Sequence, residues 1–225
     1  FELSQRKIQL HGVPCGGKFI DIGTPESYAW AQDHLENWIH QKSSPALFLD
    51  RDGIIIKHKP YLHKVTDVEL NRPIVQIIKK AREQGLYIVV VTNQAGVGRG
   101  LFSIEDAHSV NHNIDQQLAE VDAKPDLWLS CFDHVEAKIP EFRKDSLRRK
   151  PNPGMLLEAC EVLPIDLGSS LMIGDNPTDQ ISLPNFPTFL LQGDFEIKEV
   201  QETTKIASSF EELDQLVTNF LNKKN

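Results

Sequence analysis

"ALFLDRDGIII", residues 46–56, is the stretch that decides the fold. Apolar residues run into Asp50, Arg51, Asp52 and Gly53, and Ile54, Ile55 and Ile56 then resume the run. A short segment that is apolar on both faces reads as a strand buried on both sides, which is how strands of a helix-covered parallel sheet look. Two residues apart on an extended chain, Asp50 and Asp52 point to the same side and can face one ligand together. Gly53 then lets the backbone turn away.

The same grammar continues outward. Strand candidates are 46–50, 87–92 (YIVVVT), 127–131 (LWLSC), 171–175 (LMIGD) and 188–191 (TFLL). Between them, 73–84 opens on Pro73, places Ile74, Ile77, Ile78 and Ala81 on one face and stops at Gly85. Ser103 starts a second helix towards Ala119, and Pro153 or Gly154 a third through Val162. Ser209 and Glu212 have capping-box spacing ahead of a last amphipathic helix. The alternation predicts an α/β domain over 46–225, a Rossmann-like parallel sheet of about five strands with helices on both faces. Residues 1–45 read differently: a strand over 19–22, Thr24 as a cap with Pro25 at the first helical position, one helix, and a linker at 41–45. This piece cannot bury its own Tyr28 and Trp38, so it is expected to pack on the larger domain or on something upstream.

Composition narrows the partners. The 225 residues are 40% hydrophobic and 25% charged, as in a soluble globular protein. With 24 basic and 32 acidic residues the net charge is −8, which disfavours binding to nucleic acid backbone. Cys15, Cys131 and Cys160 are odd in number and scattered, as in a reducing cytoplasm. The apolar run LYIVVV is too short to span a bilayer. A cytoplasmic monomer without membrane contact is the expectation. Opening on Phe1, the sequence is expected to be a piece of a longer polypeptide.

Polar residues gather where a parallel α/β sheet binds ligands, beyond the carboxyl ends of its strands. Strand one leads to Asp50 and Asp52, and strand two to Thr92, Asn93 and Gln94. Lys150 follows strand three, strand four ends in Gly174-Asp175, and Asp179 stands four residues on. In this order, "DRDG … VVVTN … RRKPNPG … IGDNPTD" resembles the haloacid dehalogenase-like phosphatases that lack a cap domain. "FLDRDG", "VVVTNQAGVGRG" and "RRKPNPGMLLEA" are similar to the D-glycero-D-manno-heptose 1,7-bisphosphate phosphatases and their histidinol-phosphatase relatives.

The resemblance covers roughly residues 46–220 and implies roles. Asp50 would attack phosphorus and become an aspartyl-phosphate, while Asp52 would protonate the leaving oxygen and later activate water. Thr92 and Lys150 would hold phosphoryl oxygens, assisted by amides of the turn at Asn93, Gln94 and Ala95, with Asp179 orienting Lys150. Asp50, the backbone carbonyl of Asp52 and Asp175 would hold Mg²⁺, because oxygen ligands favour that hard cation. Arg51, His58, Tyr61, Arg149 and Asn176 would contact a small phosphorylated sugar, with 58–61 forming a short flap. The implied reaction is removal of the 7-phosphate of the heptose bisphosphate. The alternatives are a phosphatase for histidinol phosphate or another small monoester, and a non-catalytic module.

The chain departs from the family in the loop after strand three, where many members hold a structural zinc with three Cys and one His. Here Cys131 remains, Asp133 precedes His134, and Ser146-Leu147-Arg148 stand where a Cys-x-Cys pair would be. No zinc is expected from such a set, and packing of Ile139 and Phe142 together with local ion pairs is expected to shape the loop instead. His108 and His112 have metal-ligand spacing but no third donor, and read as a polar helix face. The glycines of "AGVGRG" fit no nucleotide fingerprint and read as a flexible loop beside the phosphate. Finally, "FIDIGTPESYAWAQ" resembles the end of the catalytic core of sugar-1-phosphate nucleotidyltransferases, mannose-1-phosphate guanylyltransferase type. Asp21 matches a metal-binding carboxylate there, but the Gly-rich nucleotide loop is missing, so Asp21 reads as a remnant. The likeness implies a phosphatase fused to, or docked on, a sugar nucleotidyltransferase, and would favour the α-anomer.

Overall fold

The computed structural model describes residues 23–40, with backbone only over 33–40, and residues 42–222. The expected strand over 19–22 and Asp21 lie outside the described residues. The chain forms α1 (Pro25–His40), β1 (Ala46–Leu49), α2 (Pro73–Glu83), β2 (Tyr87–Asn93), α3 (Ala95–Gly98) and α4 (Ile104–Ala119). There follow β3 (Leu127–Cys131), α5 (Gly154–Val162), β4 (Leu171–Gly174), β5 (Thr188–Leu191), β6 (Thr204–Ala207) and α6 (Phe210–Asn222).

Among the described residues all six strands are parallel, in the order β3-β2-β1-β4-β5-β6. Five strands were legible in the sequence. The sixth, β6, lies at the sheet edge, with Thr204 and Ala207 buried and Lys205 and Ile206 exposed. It is held through backbone pairing with β5, and an edge strand of this kind carries neither an apolar run nor a clean alternation.

Alternate strand residues feed two cores. Leu47, Leu49, Ile88, Val90, Leu171 and Ile173 pack with Ile74, Ile77 and Ile78 of α2, Val110 and Ile114 of α4, and Leu213 and Val217 of α6. Ala46, Phe48, Val89, Val91 and Met172 face the other way, onto Met155, Leu156 and Ala159 of α5. Each fully buried Leu, Ile, Val or Phe contributes about 1.5–3 kcal/mol, so β1, buried along its whole length, is held firmly on both faces. Helix ends follow local chemistry. Ser103 caps α4, with its hydroxyl accepting from Asp106 N at 3.0 Å and its amide donating back to Asp106 Oδ2 at 2.9 Å. At α6, Ser209 Oγ accepts from Glu212 N at 3.2 Å, whereas the Glu212 carboxylate turns to Ser208, accepting from its amide at 2.8 Å and its hydroxyl at 2.7 Å.

Ser27 N donates to Thr24 Oγ1 at 3.2 Å, the expected cap of α1. Tyr28 and Trp30 of that helix are exposed, and Ala31 is buried. The backbone of Ser44 bridges to the 164–166 segment, donating to Pro164 O and accepting from Asp166 N, both at 2.9 Å. Among the described residues no helix is long and apolar enough to cross a membrane.

The order places β1 between β2 and β4, where the direction of winding reverses. A crevice opens there beyond the carboxyl ends of the strands.

Candidate active site

Asp50 follows β1, and its amide donates to Ile173 O of β4 at 2.9 Å, which seats the first carboxylate over the crevice. The chain then tightens, with Ile55 N and Ile56 N both donating to Arg51 O at 3.0 and 3.1 Å. Gly53 takes a φ of +80°, and a Cβ there would lie 2.0 Å from Asp175 Oδ2, so conformation and close approach both demand glycine. Asn71 Nδ2 bonds the carbonyls of Gly53 and Ile54 at 2.9 and 3.1 Å and pins the turn. Beyond it, pairing of Ile56 with Leu70 closes a short flap that carries residues 58–61.

Four strand ends and the loops after them bring one cluster together. Lys150 Nζ donates to Asp50 Oδ1 at 2.8 Å and to Asp179 Oδ1 at 2.5 Å. Asp179 Oδ2 accepts from the amides of Asp175 and Asn176 at 3.1 and 3.0 Å. A Cβ on Gly174 would fall 2.1 Å from that oxygen, so this close approach requires glycine. Thr92 closes β2 beside them, its hydroxyl accepting from Gln94 Nε2 at 2.9 Å. Asp50, Thr92, Lys150, Asp175 and Asp179 are all buried, yet they line a cleft of about 490 Å³ open to solvent.

The charges do not balance. Ligand oxygens of Asp50, Asp175 and Asp179 lie within 4.8 Å of one another, against the single ammonium of Lys150. Burial pushes Asp50 up to about 7 despite the opposing pull of Lys150. Burial, reinforced by Asp50 and Asp179, pushes Asp175 up to about 8. Burial alone would lower Lys150, but Asp179 and Asp50 outweigh it and hold the ammonium above its ordinary range. Excess negative charge on buried oxygens is what a hard divalent cation relieves. Asp50 and Asp175 are the carboxylates left to hold one, since both oxygens of Asp179 are already engaged.

The family model described as polynucleotide kinase 3 phosphatase matches residues 46–218. The D-glycero-beta-D-manno-heptose-1,7-bisphosphate 7-phosphatase of Escherichia coli K12 is 38% identical over 138 residues, 61% of this chain and 72% of that protein. The chain belongs to the HAD-like heptose-1,7-bisphosphate phosphatase family. A HAD-like phosphatase from Mesorhizobium loti shares its fold at a TM-score of 0.69 with 31% identity, over 80% of this chain and 87% of the other. The D,D-heptose 1,7-bisphosphate phosphatase of B. bronchiseptica, complexed with magnesium and phosphate, superposes with a TM-score of 0.64 at 19% identity, over 78% of this chain and 99% of the other.

In this phosphatase several residues expected to touch substrate line the cleft with polar groups already engaged within the protein. Arg51 lines the cleft but is 1% exposed, with its guanidinium on the Asp52 carboxylate. The Asn93 side chain is committed to the backbone of Lys150, donating to its carbonyl at 3.0 Å and accepting from its amide at 3.1 Å. The Gln94 amide, expected to assist a phosphoryl group, donates instead to Cys131 O at 2.7 Å. Asn176 Oδ1 caps the turn that follows it, accepting from Thr178 N at 3.0 Å. His58, Tyr61, Ala95 and Arg149 line the cleft as well. His58 Nδ1 is buried with no hydrogen-bond partner among the described residues, its ring edge-on to Phe195 at 5.2 Å.

Arg99 is a charged cleft residue that sequence reading missed. Its Nη1 donates to Tyr61 Oη at 2.5 Å, and Nη2 lies 3.4 Å from His134 Nε2. Burial, with the charge of Arg99 nearby, holds Arg149 below the ordinary guanidinium range. The cleft wall is therefore cationic away from the carboxylates. The expectation of a flexible glycine loop is corrected here, because 95–98 form the helical turn α3 with Gly96, Val97 and Gly98 buried, and this turn aims Arg99.

The same turn orders the loop after β3. Gly98 O accepts from Lys138 N and Ile139 N at 2.8 and 3.0 Å, and Arg143 Nε staples Ala137 O at 2.6 Å. Phe142 packs edge-on against Phe132 at 5.9 Å, as expected, but Ile139 is 36% exposed and Ala137 takes the buried place. Asp133 meets Lys144 at 3.5 Å and Arg148 meets Glu158 at 2.8 Å.

The unbalanced carboxylates predict a pH-linked stability. With folded pKa values of about 7 and about 8 against an ordinary 3.8, Asp50 and Asp175 bind more protons folded than unfolded. Stability of the metal-free protein therefore falls as pH rises through this range. Thermal melts in EDTA should drop between about pH 4 and about pH 8, and Mg²⁺ should raise the melting temperature more at the higher pH. An equal Mg²⁺ shift at both pH values would remove these carboxylates from the metal site.

Proposed function

We propose that this chain is a Mg²⁺-dependent phosphatase that removes the 7-phosphate of D-glycero-D-manno-heptose 1,7-bisphosphate. The observation that carries the reading is the convergence of Asp50, Asp52, Thr92, Lys150 and Asp175 in one cleft, from the ends of β1, β2 and β4 and the loop after β3. Asp50 Oδ2 attacks phosphorus while the bond to the sugar oxygen breaks, and Asp52 gives that oxygen a proton. Water then attacks the aspartyl-phosphate, surrenders a proton to Asp52, and frees Asp50 and inorganic phosphate. Thr92 and Lys150 hold the phosphoryl oxygens, with Asp179 keeping the ammonium in place.

A carboxylate about 4 Å from an anionic phosphoryl oxygen is repelled by about 4 kcal/mol per charge pair at an effective dielectric of 20. Asp50, Asp175 and the Asp52 carbonyl would hold Mg²⁺, which would supply positive charge to offset this repulsion. Arg99 and Arg149 form the seat for the second phosphate, and His58 lines the cleft beside the sugar. The family-model description favours a second reading, a phosphate at a polynucleotide end; the net charge of −8 weighs against it.

Phosphate release should be measured with Mg²⁺ and with EDTA. The substrates are both anomers of the heptose bisphosphate, histidinol phosphate, fructose 1,6-bisphosphate and a 3′-phosphorylated oligonucleotide. Fast, Mg²⁺-dependent release from one heptose anomer is expected. Preference for the oligonucleotide or for histidinol phosphate would sink the heptose assignment and keep the phosphatase. Residues 1–45 are proposed as the end of a nucleotidyltransferase unit, since coupling a sugar 1-phosphate to a nucleotide is the step that follows removal of the 7-phosphate.

A further inference from the structure

Asp52 is not free to point anywhere. Arg51 Nε and Nη2 donate to its Oδ2 at 3.1 and 2.9 Å, and Gln94 Nε2 donates to the same atom at 2.8 Å. Oδ1 receives one contact, from Arg51 Nη2 at 3.0 Å. The two oxygens are therefore unequal. Three donors occupy Oδ2, more than its two in-plane lone pairs serve well, and Oδ1 keeps a vacant one. The Asp52 side chain is 20% exposed at the cleft, while Arg51 is 1% exposed behind it.

A guanidinium buried that deeply persists only when its donors are matched. Its remaining nitrogen is matched from a distant element: Nη1 donates to Asn111 Oδ1 of α4 at 3.0 Å, and Asn111 Nδ2 reaches Ser130 Oγ of β3 at 3.3 Å. The planar fork of Arg51 is thus clamped at one end by α4 and presents its other end to Asp52.

We infer that Arg51, anchored by Asn111, is a positioning residue that fixes the Asp52 carboxyl with Oδ1 as the proton-carrying oxygen. This rests on the phosphatase reading above. In the first step the bond from phosphorus to the substrate oxygen breaks and that oxygen takes the proton from Asp52 Oδ1. In the second, water gives a proton back to the same atom. Without the clamp the carboxyl rotates, and the proton is no longer presented to the leaving oxygen.

The test uses leaving groups. A sugar phosphate expels a poor leaving group and needs the proton, whereas 4-nitrophenyl phosphate expels a stable anion and needs it little. General acid catalysis is worth about 10²- to 10⁴-fold, so Arg51→Met should lower kcat for the sugar phosphate about 30- to 100-fold. The aryl ester should lose less than about 3-fold, with KM for both little changed. Arg51→Lys should recover only part of the loss, because one ammonium cannot reproduce the fork. Asn111→Ala should show the same selectivity at smaller size, and it decides the matter by the same criterion if Arg51→Met does not fold. Equal losses on both esters in a folded variant, or no loss on either, would overturn the positioning role. A wild-type protein inert towards both esters would overturn the phosphatase reading, and this inference with it.

Discussion

Replacing Asp50 with Asn is expected to abolish phosphate release, by about 10⁴-fold or more, while leaving the protein as stable as before or more so. Amide nitrogen and oxygen cannot form the aspartyl-phosphate, and loss of a covalent nucleophile is among the costliest single changes an enzyme can suffer. The stability half follows from electrostatics. Burial holds the Asp50 carboxyl at about 7, so above that pH the folded state carries a charge it would be better without. Asn is nearly isosteric, still faces Lys150, and carries no charge. Phosphate release with Mg²⁺ and thermal melting in EDTA, on the same preparation, check both halves. Turnover at the wild-type rate would overturn the mechanism, whereas lost activity with a lowered melting temperature would mean that Asp50 is structural.

Lys150→Met should be the most damaging substitution for stability. The Lys150 and Asp179 side chains are 1% and 0% exposed and lie 2.5 Å apart. Removing one partner of such a pair leaves the other buried and uncompensated, at a cost of about 3–5 kcal/mol. The ammonium is held above its ordinary range by Asp179 and Asp50, so its contribution is complete below the ordinary value of 10.5 and is lost only as pH rises above it. Urea unfolding at neutral pH should show a lower midpoint with an unchanged slope. Adding Asp179→Asn to Lys150→Met should restore part of the loss, because the two side chains are directly coupled. A double variant as unstable as the sum of the single ones would show that the pair is not the source of the effect.

The sheet class and the site's main members were legible because both depend on order along the chain. Fully apolar runs between amphipathic helices leave few solutions besides a covered parallel sheet, and that sheet brings its strand ends to one side. Asp50, Thr92 and Asp175 each stand at such an end, so their convergence follows from topology, whereas Lys150 is carried to them by the loop after β3. Strand β6 was not legible, because half of its side chains face solvent and its stability comes from backbone pairing with β5. Ile139 and the glycine turn at 95–98 were misread for a related reason: the carbonyl of Gly98, not an apolar pattern, gathers the loop after β3.

By itself, then, the sequence determined the layers of this protein and the identity of its strand-end carboxylates, threonine and lysine, since burial period and residue order are one-dimensional properties. Only the tertiary structure decided which polar groups each charge meets. Arg51 and Arg99 look alike in sequence as arginines beside functional turns, but one is turned inward to Asp52 and Asn111 and the other outward to Tyr61 and the cleft. What separates them is which donors and acceptors distant segments bring within about 3 Å, and no local periodicity encodes that.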